Sequence, residues 1–326
     1  MNAQESAAPL VAVVGPTASG KSALAVFLAG KLGGEVIACD STQLYRRFNI
    51  GTAKPDETER RGVPHHLLDV YEPEQISTAG EYRRLALEVL EDLRRRKRLP
   101  ILTVGTGLYL RALLEGLAET PLRSEDLRKR LAADSRGKGP DYLHRLLRRL
   151  DREAAARIAP RDHQKLVRAI EVCVLAGKRI TEVHRTGRAR LEGFHPVKIG
   201  LNPPRPELYK RIGWRVAAML DRGWLEEVRQ LVSSGLPAKC KPFEFIGYRE
   251  LRHHLEGKTD LSAAVAAIEQ ATRRYAKRQL TWFRKEPGVT WFEGFGDDAS
   301  LQGALLAHIQ RELVKLPARA AAPDGV

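Results

Sequence analysis

Short apolar runs alternate with longer amphipathic segments along the first third of the chain, and the alternation returns near its end. Apolar runs bounded by turn residues indicate buried strands, whereas apolar residues at helical spacing indicate helices. The predicted strands are 10–14, 35–39, 99–104, 196–201 and 289–292. The predicted helical stretches are 23–31, 78–96, 207–284 and 299–316. Strands that alternate with helices favour a parallel sheet with right-handed connections.

The segment 122–192 differs from the rest of the chain because it has almost no strand signal. It is dense in Arg, Leu and Ala, and its leucines recur at helical spacing, as at Leu143, Leu146, Leu147 and Leu150. We interpret it as a helical insertion. The predicted organisation is an α/β core formed by 1–121 and 196–316, an all-helical insertion domain at 122–195, and a disordered tail at 317–326.

A phosphate-binding pattern, G-x-x-x-x-G-K-S, follows the first predicted strand and opens the first predicted helix. Its glycines let backbone N–H groups turn inward and form a nest for phosphate oxygens at the helix N-terminus. Lys21 adds a positive charge, and the Ser22 hydroxyl can hold Mg²⁺. The residues of this phosphate loop (P-loop) are Gly15, Pro16, Thr17, Ala18, Ser19, Gly20, Lys21 and Ser22.

The alternative for the pattern at 15–22 is a chance glycine-rich turn, but the flanking strand and helix favour the P-loop. The predicted fold class is therefore α/β, a P-loop parallel sheet flanked by helices, with an all-helical insertion domain. Ligands of such sheets bind at the carboxyl ends of the strands. A di- or triphosphate is expected at this rim, although the motif alone does not say which.

Asp40 closes the second predicted strand and is the only carboxylate that the sequence places beside the P-loop. The third strand ends in Gly105-Thr106-Gly107 rather than in the aspartate with which an ATPase holds Mg²⁺. A carboxylate opposite a P-loop can take a proton from an incoming nucleophile, which indicates group transfer rather than hydrolysis. The alternative role for Asp40 is an Asx turn or a cap at the strand end.

The composition adds a strong positive charge, with 55 Lys and Arg against 40 Asp and Glu and a net charge of +15. This charge makes nucleic acid the first candidate partner, and the alternative is a solvated basic surface such as the run at 94–98. Three lone cysteines, Cys39, Cys173 and Cys240, lack metal-ligand spacing and suit a reducing compartment. Neither a signal peptide nor a membrane-spanning run is found, so we expect a cytoplasmic protein without a membrane partner.

Several blocks of the sequence together resemble the tRNA dimethylallyltransferases, also called tRNA isopentenyltransferases. The blocks occur in the expected order over about residues 10 to 285, so together they are far more specific than any one of them. They are the P-loop, DSTQLY at 40–45, IGTAKP at 50–55, PHHLLD at 64–69, GTGLY at 105–109, RAIEV at 168–172, IGY at 246–248 and RRYAKRQLTWFR at 273–284.

The resemblance implies transfer of a dimethylallyl group from dimethylallyl diphosphate to N6 of adenosine 37, beside the tRNA anticodon. The P-loop would bind the diphosphate, with Mg²⁺ as the cofactor at Ser22, and Lys21 would stabilise the charge that develops on the leaving group. Arg211 aligns with the family's diphosphate-binding arginine, although the residues alone favour a solvated helix face. Asp40 would act as the general base, and Thr106 would position the same amine.

The resemblance also implies a tRNA surface, reached by an adenosine that is flipped out of the anticodon loop. The residues that it assigns to tRNA are Asp40, Ser41, Thr42, Gln43, Thr106, Gln164, Lys165, Leu166, Val167, Arg168, Tyr248, Arg249, Lys277, Arg278, Trp282 and Arg284. Basic and aromatic residues together suit phosphate contacts and base stacking. Without the resemblance, 273–284 is more simply an amphipathic helix with a solvated basic face. The helical insertion would act as a clamp on the tRNA.

Two other functions stay open on the residues alone. A small-molecule or nucleotide kinase would share the P-loop and the carboxylate, but it leaves the late basic helices and the net charge without a role. A non-enzymatic RNA-binding protein would explain the charge but neither the P-loop nor Asp40. His65 and His66 are adjacent and point in different directions, so we interpret them as structural rather than as metal ligands. The expected partners are the tRNA anticodon stem-loop and dimethylallyl diphosphate, and the chain is expected to be a monomer.

Overall fold

The computed structural model describes residues 7–185 and 189–315, and its internal contacts divide the chain into two compact units. The core unit takes in 1–114 and 191–326, and the helical unit takes in 115–190. These boundaries lie a few residues before the predicted ones, 122 and 195. The predicted disordered tail at 317–326 falls outside the described residues.

The core unit begins with β1 (Ala8–Val14), α1 (Lys21–Leu32), β2 (Gly34–Cys39), α2 (Glu57–Arg60), β3 (His65–His66), α3 (Ala79–Arg95), β4 (Leu99–Val104) and α4 (Gly107–Glu115). The helical unit contains α5 (Glu125–Lys138), α6 (Tyr142–Leu150), α7 (Arg152–Arg157), α8 (His163–Ala176) and α9 (Ile180–Arg185). The core unit resumes with β5 (Phe194–Leu201), α10 (Arg205–Asp221), α11 (Trp224–Ser233), a 3₁₀ turn (Lys241–Glu244), α12 (Tyr248–Leu255), α13 (Leu261–Phe283), β6 (Val289–Phe292) and α14 (Ala299–Val314).

The six strands form one parallel sheet in the order β3-β2-β4-β1-β5-β6. β1 lies inside the sheet between β4 and β5, and its last five residues are buried because helices cover both faces. The carboxyl ends of β1, β2 and β4 therefore meet at one edge, where Cys39 of β2 is in register with Val104 of β4. The predicted parallel α/β fold with a P-loop is confirmed.

Alternate residues of β1 point to opposite faces of the sheet and enter two separate apolar clusters. Leu10 packs on one face against α3, whose Tyr82, Ala86, Leu90 and Leu93 recur at helical spacing. Val11 packs on the other face against α1 and α14. The α3 helix begins with a capping box, in which Thr78 accepts from the Glu81 N–H and the Glu81 carboxylate accepts from the Thr78 N–H.

Several described elements depart from the predicted ones, and α2 and α4 were not predicted. β3 was missed because it holds only two polar residues; His66 contacts the Glu35 carboxylate at 2.7 Å, and His65 contacts the Val63 carbonyl at 2.8 Å. β5 begins at Phe194, two residues before the predicted start. The helices predicted over 207–284 are α10, α11, α12 and α13, and a 3₁₀ turn lies between α11 and α12.

A third apolar cluster of the core unit joins the loop after β2 to α11 and α12. Phe48 packs against Phe243 and Tyr248, and Trp224 packs edge-on against Tyr248. A Cβ atom at Gly51 would clash with Trp224, so the backbone at Gly51 lies directly on this indole. The cluster therefore holds the segment after β2 in place beside the strand ends.

The helical unit has its own apolar core, and none of its described residues forms a strand. Leu143 and Leu147 of α6 pack there with Leu166 and Ile170 of α8, as the leucine spacing of this segment predicts. Among the helices of both units that the structure describes, none combines the length and the apolar character needed to cross a bilayer.

Candidate active site

The P-loop connects β1 to α1 and turns sharply at its two ends. Gly20 caps α1 with φ +84°, a left-handed conformation, and a Cβ atom there would lie 2.9 Å from Oδ1 of Asp297. Leu24 N–H then donates to the Gly20 carbonyl at 3.0 Å and starts the helix. The loop therefore presents its backbone at the N-terminus of α1, where the helix dipole favours an anion.

Lys21 extends along the loop, and its Nζ donates to the Pro16 carbonyl at 2.7 Å. Burial lowers the pKa of Lys21 to about 7; repulsion from Arg215 acts in the same direction, and attraction to Asp40 opposes both. Two cations and a carboxylate thus surround the P-loop. A bound anion would be attracted to both cations and would favour the charged form of Lys21.

Asp40 follows β2 and uses its two carboxylate oxygens differently. Oδ1 accepts from the Thr42 N–H at 2.8 Å and from the Thr42 hydroxyl at 2.7 Å. These bonds form the Asx turn that the sequence analysis gave as the alternative role of Asp40. Oδ2 accepts no hydrogen bond from the described residues and lies over Gly105, where a Cβ atom would clash with it. The Asx turn therefore orients Asp40 and leaves one oxygen available to a ligand.

Thr106 begins the turn after β4 and lies beside the Asp40 segment. Its Oγ1 accepts from the Ser41 N–H at 3.0 Å and donates to the Ser41 hydroxyl at 3.2 Å. The N–H groups of Gly105 and Thr106 both donate to the Cys39 carbonyl at 3.0 Å. These bonds tie the ends of β2 and β4 together, so Asp40 and Thr106 share one rim as predicted.

A cavity of about 850 Å³ in the core unit brings the P-loop and Asp40 together. The helices α10 and α13 supply the wall opposite the strand ends. Their lining side chains include Arg211, Trp214, Arg215, Ala218, Met219, Tyr275 and Gln279, and Asp297 follows β6 into the same cavity. Asp297 is thus a second carboxylate beside the P-loop, and the expectation that Asp40 is the only one is wrong. Asp297 was not predicted because it lies far from the P-loop in sequence.

The two arginines of α10 that face the cavity have different partners. Arg211, which the resemblance singled out, forms a two-pronged ion pair with Asp297 at 2.7 and 2.5 Å and lies over the Phe295 ring. Arg215, one helical turn later, places Nη1 3.5 Å from the Thr17 hydroxyl, and burial lowers the pKa of its guanidinium. The sequence analysis missed Arg215, although its i, i+4 spacing from Arg211 puts both arginines on one helix face.

The residues predicted to contact tRNA next to Asp40 are Ser41, Thr42 and Gln43. Ser41 and Thr42 are half-buried in the turn described above. Gln43 lines the cavity, and its Nε2 donates to the carbonyls of Thr52 and Ala53 at 3.3 and 3.0 Å. This side chain therefore links the turn after β2 to the 50–55 segment.

Tyr248 was predicted on an exposed tRNA surface, but the structure buries it completely. Its hydroxyl donates to Glu227 at 2.6 Å and accepts from the Gly51 N–H at 3.1 Å. The apolar ring packs on Phe48 and Trp224, so in this structure Tyr248 is a core residue with no face open to a base. Arg249 is exposed and pairs with Glu250 at 2.6 Å.

The remaining basic and aromatic residues of the predicted surface lie along α13 and at its end. Lys277, Arg278, Trp282 and Arg284 are exposed. Trp282 lies against Gly107, where a Cβ atom would clash with the indole, and the Arg111 guanidinium sits 4.8 Å from its ring centre. Lys277 and Arg284 instead line a second cavity of about 410 Å³, beside Asn202 and Arg205.

The five residues predicted for tRNA in the helical unit belong to α8 and have mixed environments. Gln164 and Lys165 are exposed, and Lys165 pairs with Asp162 at 2.5 Å. Leu166 is completely buried and Val167 is half-buried, so these two pack inside the unit. Arg168 donates to Glu171 and to the Thr120 hydroxyl at 2.6 and 2.7 Å.

The fold and this cavity define a P-loop transferase-type site, and known proteins identify the family. The model of the IPP transferase family matches residues 43–286. A tRNA dimethylallyltransferase of Koribacter versatilis is 50% identical over 301 residues, which cover 92% of this chain and 98% of the relative. One of Solibacter usitatus is 47% identical over 306 residues, 94% of this chain and 99% of the relative.

Solved structures agree with the sequence relatives. The tRNA isopentenylpyrophosphate transferase of Bacillus halodurans has a TM-score of 0.70 and 37% identity, covering 94% of this chain and 97% of that one. A eukaryotic dimethylallyltransferase acting on tRNA has a TM-score of 0.81 and 26% identity, covering 97% of this chain and 82% of that one. The chain belongs to the IPP transferase family, and the predicted family resemblance is confirmed.

Proposed function

We propose that this protein transfers the dimethylallyl group of dimethylallyl diphosphate to N6 of adenosine 37 in tRNA and releases diphosphate. The observation that supports the proposal is that one cavity contains both the P-loop and Asp40, whose Oδ2 accepts no hydrogen bond from the described residues. In the reaction the allylic C–O bond breaks, an N6–C bond forms, and the N6 proton passes to Asp40. Family membership supports the same reaction class.

The donor side of the cavity would hold the diphosphate. The P-loop N–H groups, Lys21 and Arg215 offer positive charge where negative charge develops on the leaving group, and such preorganised stabilisation is usually the largest catalytic contribution. Arg215 suits two phosphate oxygens because its guanidinium is a planar fork. The Ser22 hydroxyl, together with diphosphate oxygens and waters, is a donor set that Mg²⁺ accepts. When bound there, the ion would neutralise part of the diphosphate charge.

The acceptor side would hold a flipped adenine beside Asp40 and Thr106. The exocyclic amine of a purine is a poor nucleophile, so removing its proton as the bond forms raises the rate by about 10²–10⁴-fold. Flipping is least costly from a single-stranded loop. The exposed Lys277, Arg278 and Arg284 would contact RNA phosphates, and Trp282 would stack on a base. The helical unit would clamp the tRNA.

The proposal is tested with unmodified tRNA that carries adenosine 37, Mg²⁺ and radiolabelled dimethylallyl diphosphate. Wild-type protein should label the tRNA, and Asp40→Asn should label it at least about 100-fold more slowly with donor binding within about threefold. Asp298→Asn is the matched control, because it removes a carboxylate that caps α14 outside the cavity. No labelling by wild-type protein, with ATP turnover on a small acceptor, would instead support a kinase.

A further inference from the structure

Gln279 of α13 is almost fully buried between two loops that are distant in sequence. Its Oε1 accepts from the Thr17 N–H at 2.8 Å, and its Nε2 donates to the Gly105 carbonyl at 2.8 Å. A carboxamide is suited to this bridge because it carries an acceptor and a donor on one rigid group. One side chain therefore connects the P-loop directly to the turn after β4.

The two bridged loops belong to different parts of the cavity, the P-loop and the turn beside Asp40. Thr17 belongs to the P-loop, whereas Gly105 lies under the free Oδ2 of Asp40. The Tyr275 hydroxyl, one helical turn earlier, also donates to the Gly105 carbonyl at 3.1 Å. The α13 helix thus makes two hydrogen bonds to the turn after β4, from Tyr275 and Gln279, and one to the P-loop, from Gln279. Gln279 is therefore the residue that contacts both loops.

We infer that Gln279 is a positioning residue that sets the separation between the diphosphate and Asp40. The inference rests on the proposed transfer reaction, in which the attacking amine must lie between these two groups and opposite the leaving oxygen. Misplacing reacting groups by about 1 Å costs on the order of 100-fold in rate. The Thr17 N–H is engaged by Gln279, which leaves the later amides of the P-loop to bind phosphate.

The substitution Gln279→Glu tests the two hydrogen bonds of the bridge separately. An ionised carboxylate at this position would still accept from the Thr17 N–H, but it has no proton to donate and would set a negative oxygen against the Gly105 carbonyl. A protonated carboxylic acid donates and accepts as the amide does, and burial raises the pKa of a carboxyl. Gln279→Glu should therefore recover as the pH falls, whereas Gln279→Leu loses both bonds at every pH.

The experiment compares wild type, Gln279→Glu and Gln279→Leu in tRNA labelling at pH 6.0 to 8.5. For Gln279→Glu we expect kcat to fall about 10- to 100-fold at pH 8, donor KM to stay within about threefold, and the ratio of its kcat to that of wild type to rise at lower pH. For Gln279→Leu we expect a similar fall at all pH values and a donor KM raised about tenfold. Thr272→Val is the control, because it loses a 2.8 Å hydrogen bond on the same helix, to the Ile268 carbonyl.

Amide hydrogen exchange tests the bridge without relying on transfer. In Gln279→Leu we expect faster exchange in both 15–22 and 103–107, and in Thr272→Val in neither. Faster exchange in only one loop, or wild-type kcat in both Gln279 variants, would overturn the inference. If wild type itself labels no tRNA, the proposed function fails, and the exchange result still decides whether Gln279 couples the two loops. If Gln279→Leu does not fold, the pH dependence of Gln279→Glu decides.

Discussion

Lys21 and Arg215 place two positive charges side by side at the P-loop. Burial and mutual repulsion lower the pKa of Lys21, and burial lowers that of Arg215, so both cations are poorly solvated. A diphosphate relieves both penalties at once, because it supplies opposite charge where water is scarce. The buried positive charges are therefore unfavourable in the free protein and are stabilised when an anion binds. The affinity for the anion consequently depends on the protonation of Lys21.

The affinity of the free protein for diphosphate should decrease as pH rises above 7. Lys21 has a pKa of about 7 without ligand, and bound diphosphate raises that pKa, so binding near pH 8 takes up a proton. Below pH 7 the lysine is already charged and the dependence levels off. Between pH 7.5 and 9 we expect the dissociation constant to rise, relative to that of Lys21→Arg, by up to about tenfold per pH unit. Titration calorimetry in buffers of different ionisation enthalpy measures it.

Lys21→Arg is the control for this dependence, because an arginine stays charged throughout the range. Its affinity for diphosphate is expected to lack the decrease above pH 7 that Lys21 causes, so only the ionisation of the ligand itself contributes. A wild-type profile that matches the profile of Lys21→Arg would contradict the assignment of the pKa to Lys21.

Sequence alone predicted the position of the residues that belong to local motifs at one edge of the sheet. Lys21 belongs to a contiguous pattern, and Asp40 and Thr106 directly follow strands that hydrophobicity marks. Gln279 and Asp297 could not be found in this way, since each meets the P-loop from more than 250 positions away. The family resemblance placed Tyr248 on the surface, whereas its burial depends on Phe48 and Trp224, which no local pattern connects to it.

Elements were predicted well where the apolar pattern is strong and bounded. β4 and β6 have the predicted limits, and α3 begins and ends within one residue of the predicted ones. The helices of 207–284 were predicted without the breaks that separate them. Those breaks carry their own signals, with left-handed Gly223 before α11 and positive-φ Gly247 before α12. Glycine position would therefore have improved the prediction more than hydrophobicity.

Within the helical unit, Glu171 joins α8 to α5. Burial alone would raise the pKa of this carboxyl, but hydrogen bonds from Arg128, Arg168 and the Ser124 N–H lower it to about 2. The folded pKa lies below the unfolded value, so the stabilisation is present above about pH 4.5 and is lost as pH falls toward 2. We expect Glu171→Gln to lower the unfolding free energy of this unit by about 3 kcal/mol at pH 7, measured by denaturant melting.

Glu182→Gln is the matched control for Glu171→Gln. Glu182 pairs with Arg179 in the same unit, but both side chains are exposed and 3.9 Å apart. Its loss should change the unfolding free energy by less than about 1 kcal/mol. Equal effects of the two substitutions, or an effect of Glu171→Gln that persists at pH 2, would show that the buried carboxylate does not stabilise the unit.

At the scale of the whole molecule, the helical unit is inserted between two core-unit residues, Leu114 and Leu191, that are hydrogen-bonded to each other. The Leu191 N–H donates to the Leu114 carbonyl at 3.0 Å, and both residues belong to the core unit. The two apolar clusters that cover the sheet contain no described residue of 116–190, because that segment has an apolar core of its own. The ends of the insertion are therefore adjacent, and the sheet is continuous without it.

Replacing 115–190 with a short Gly-Ser linker should therefore leave a folded core unit that binds diphosphate within about threefold of the full chain. The proposed clamp predicts that its affinity for an anticodon stem-loop falls at least about 100-fold. Part of that affinity is electrostatic, so the slope of log affinity against log salt should also become shallower, by about 0.7–0.9 for each phosphate that the helical unit neutralises in the full chain. Fluorescence anisotropy with a labelled stem-loop measures both, and diphosphate binding on the same sample reports whether the core has folded. A shortened protein that binds diphosphate and retains the stem-loop affinity would show that α13 and the rim of the cavity bind RNA without a clamp.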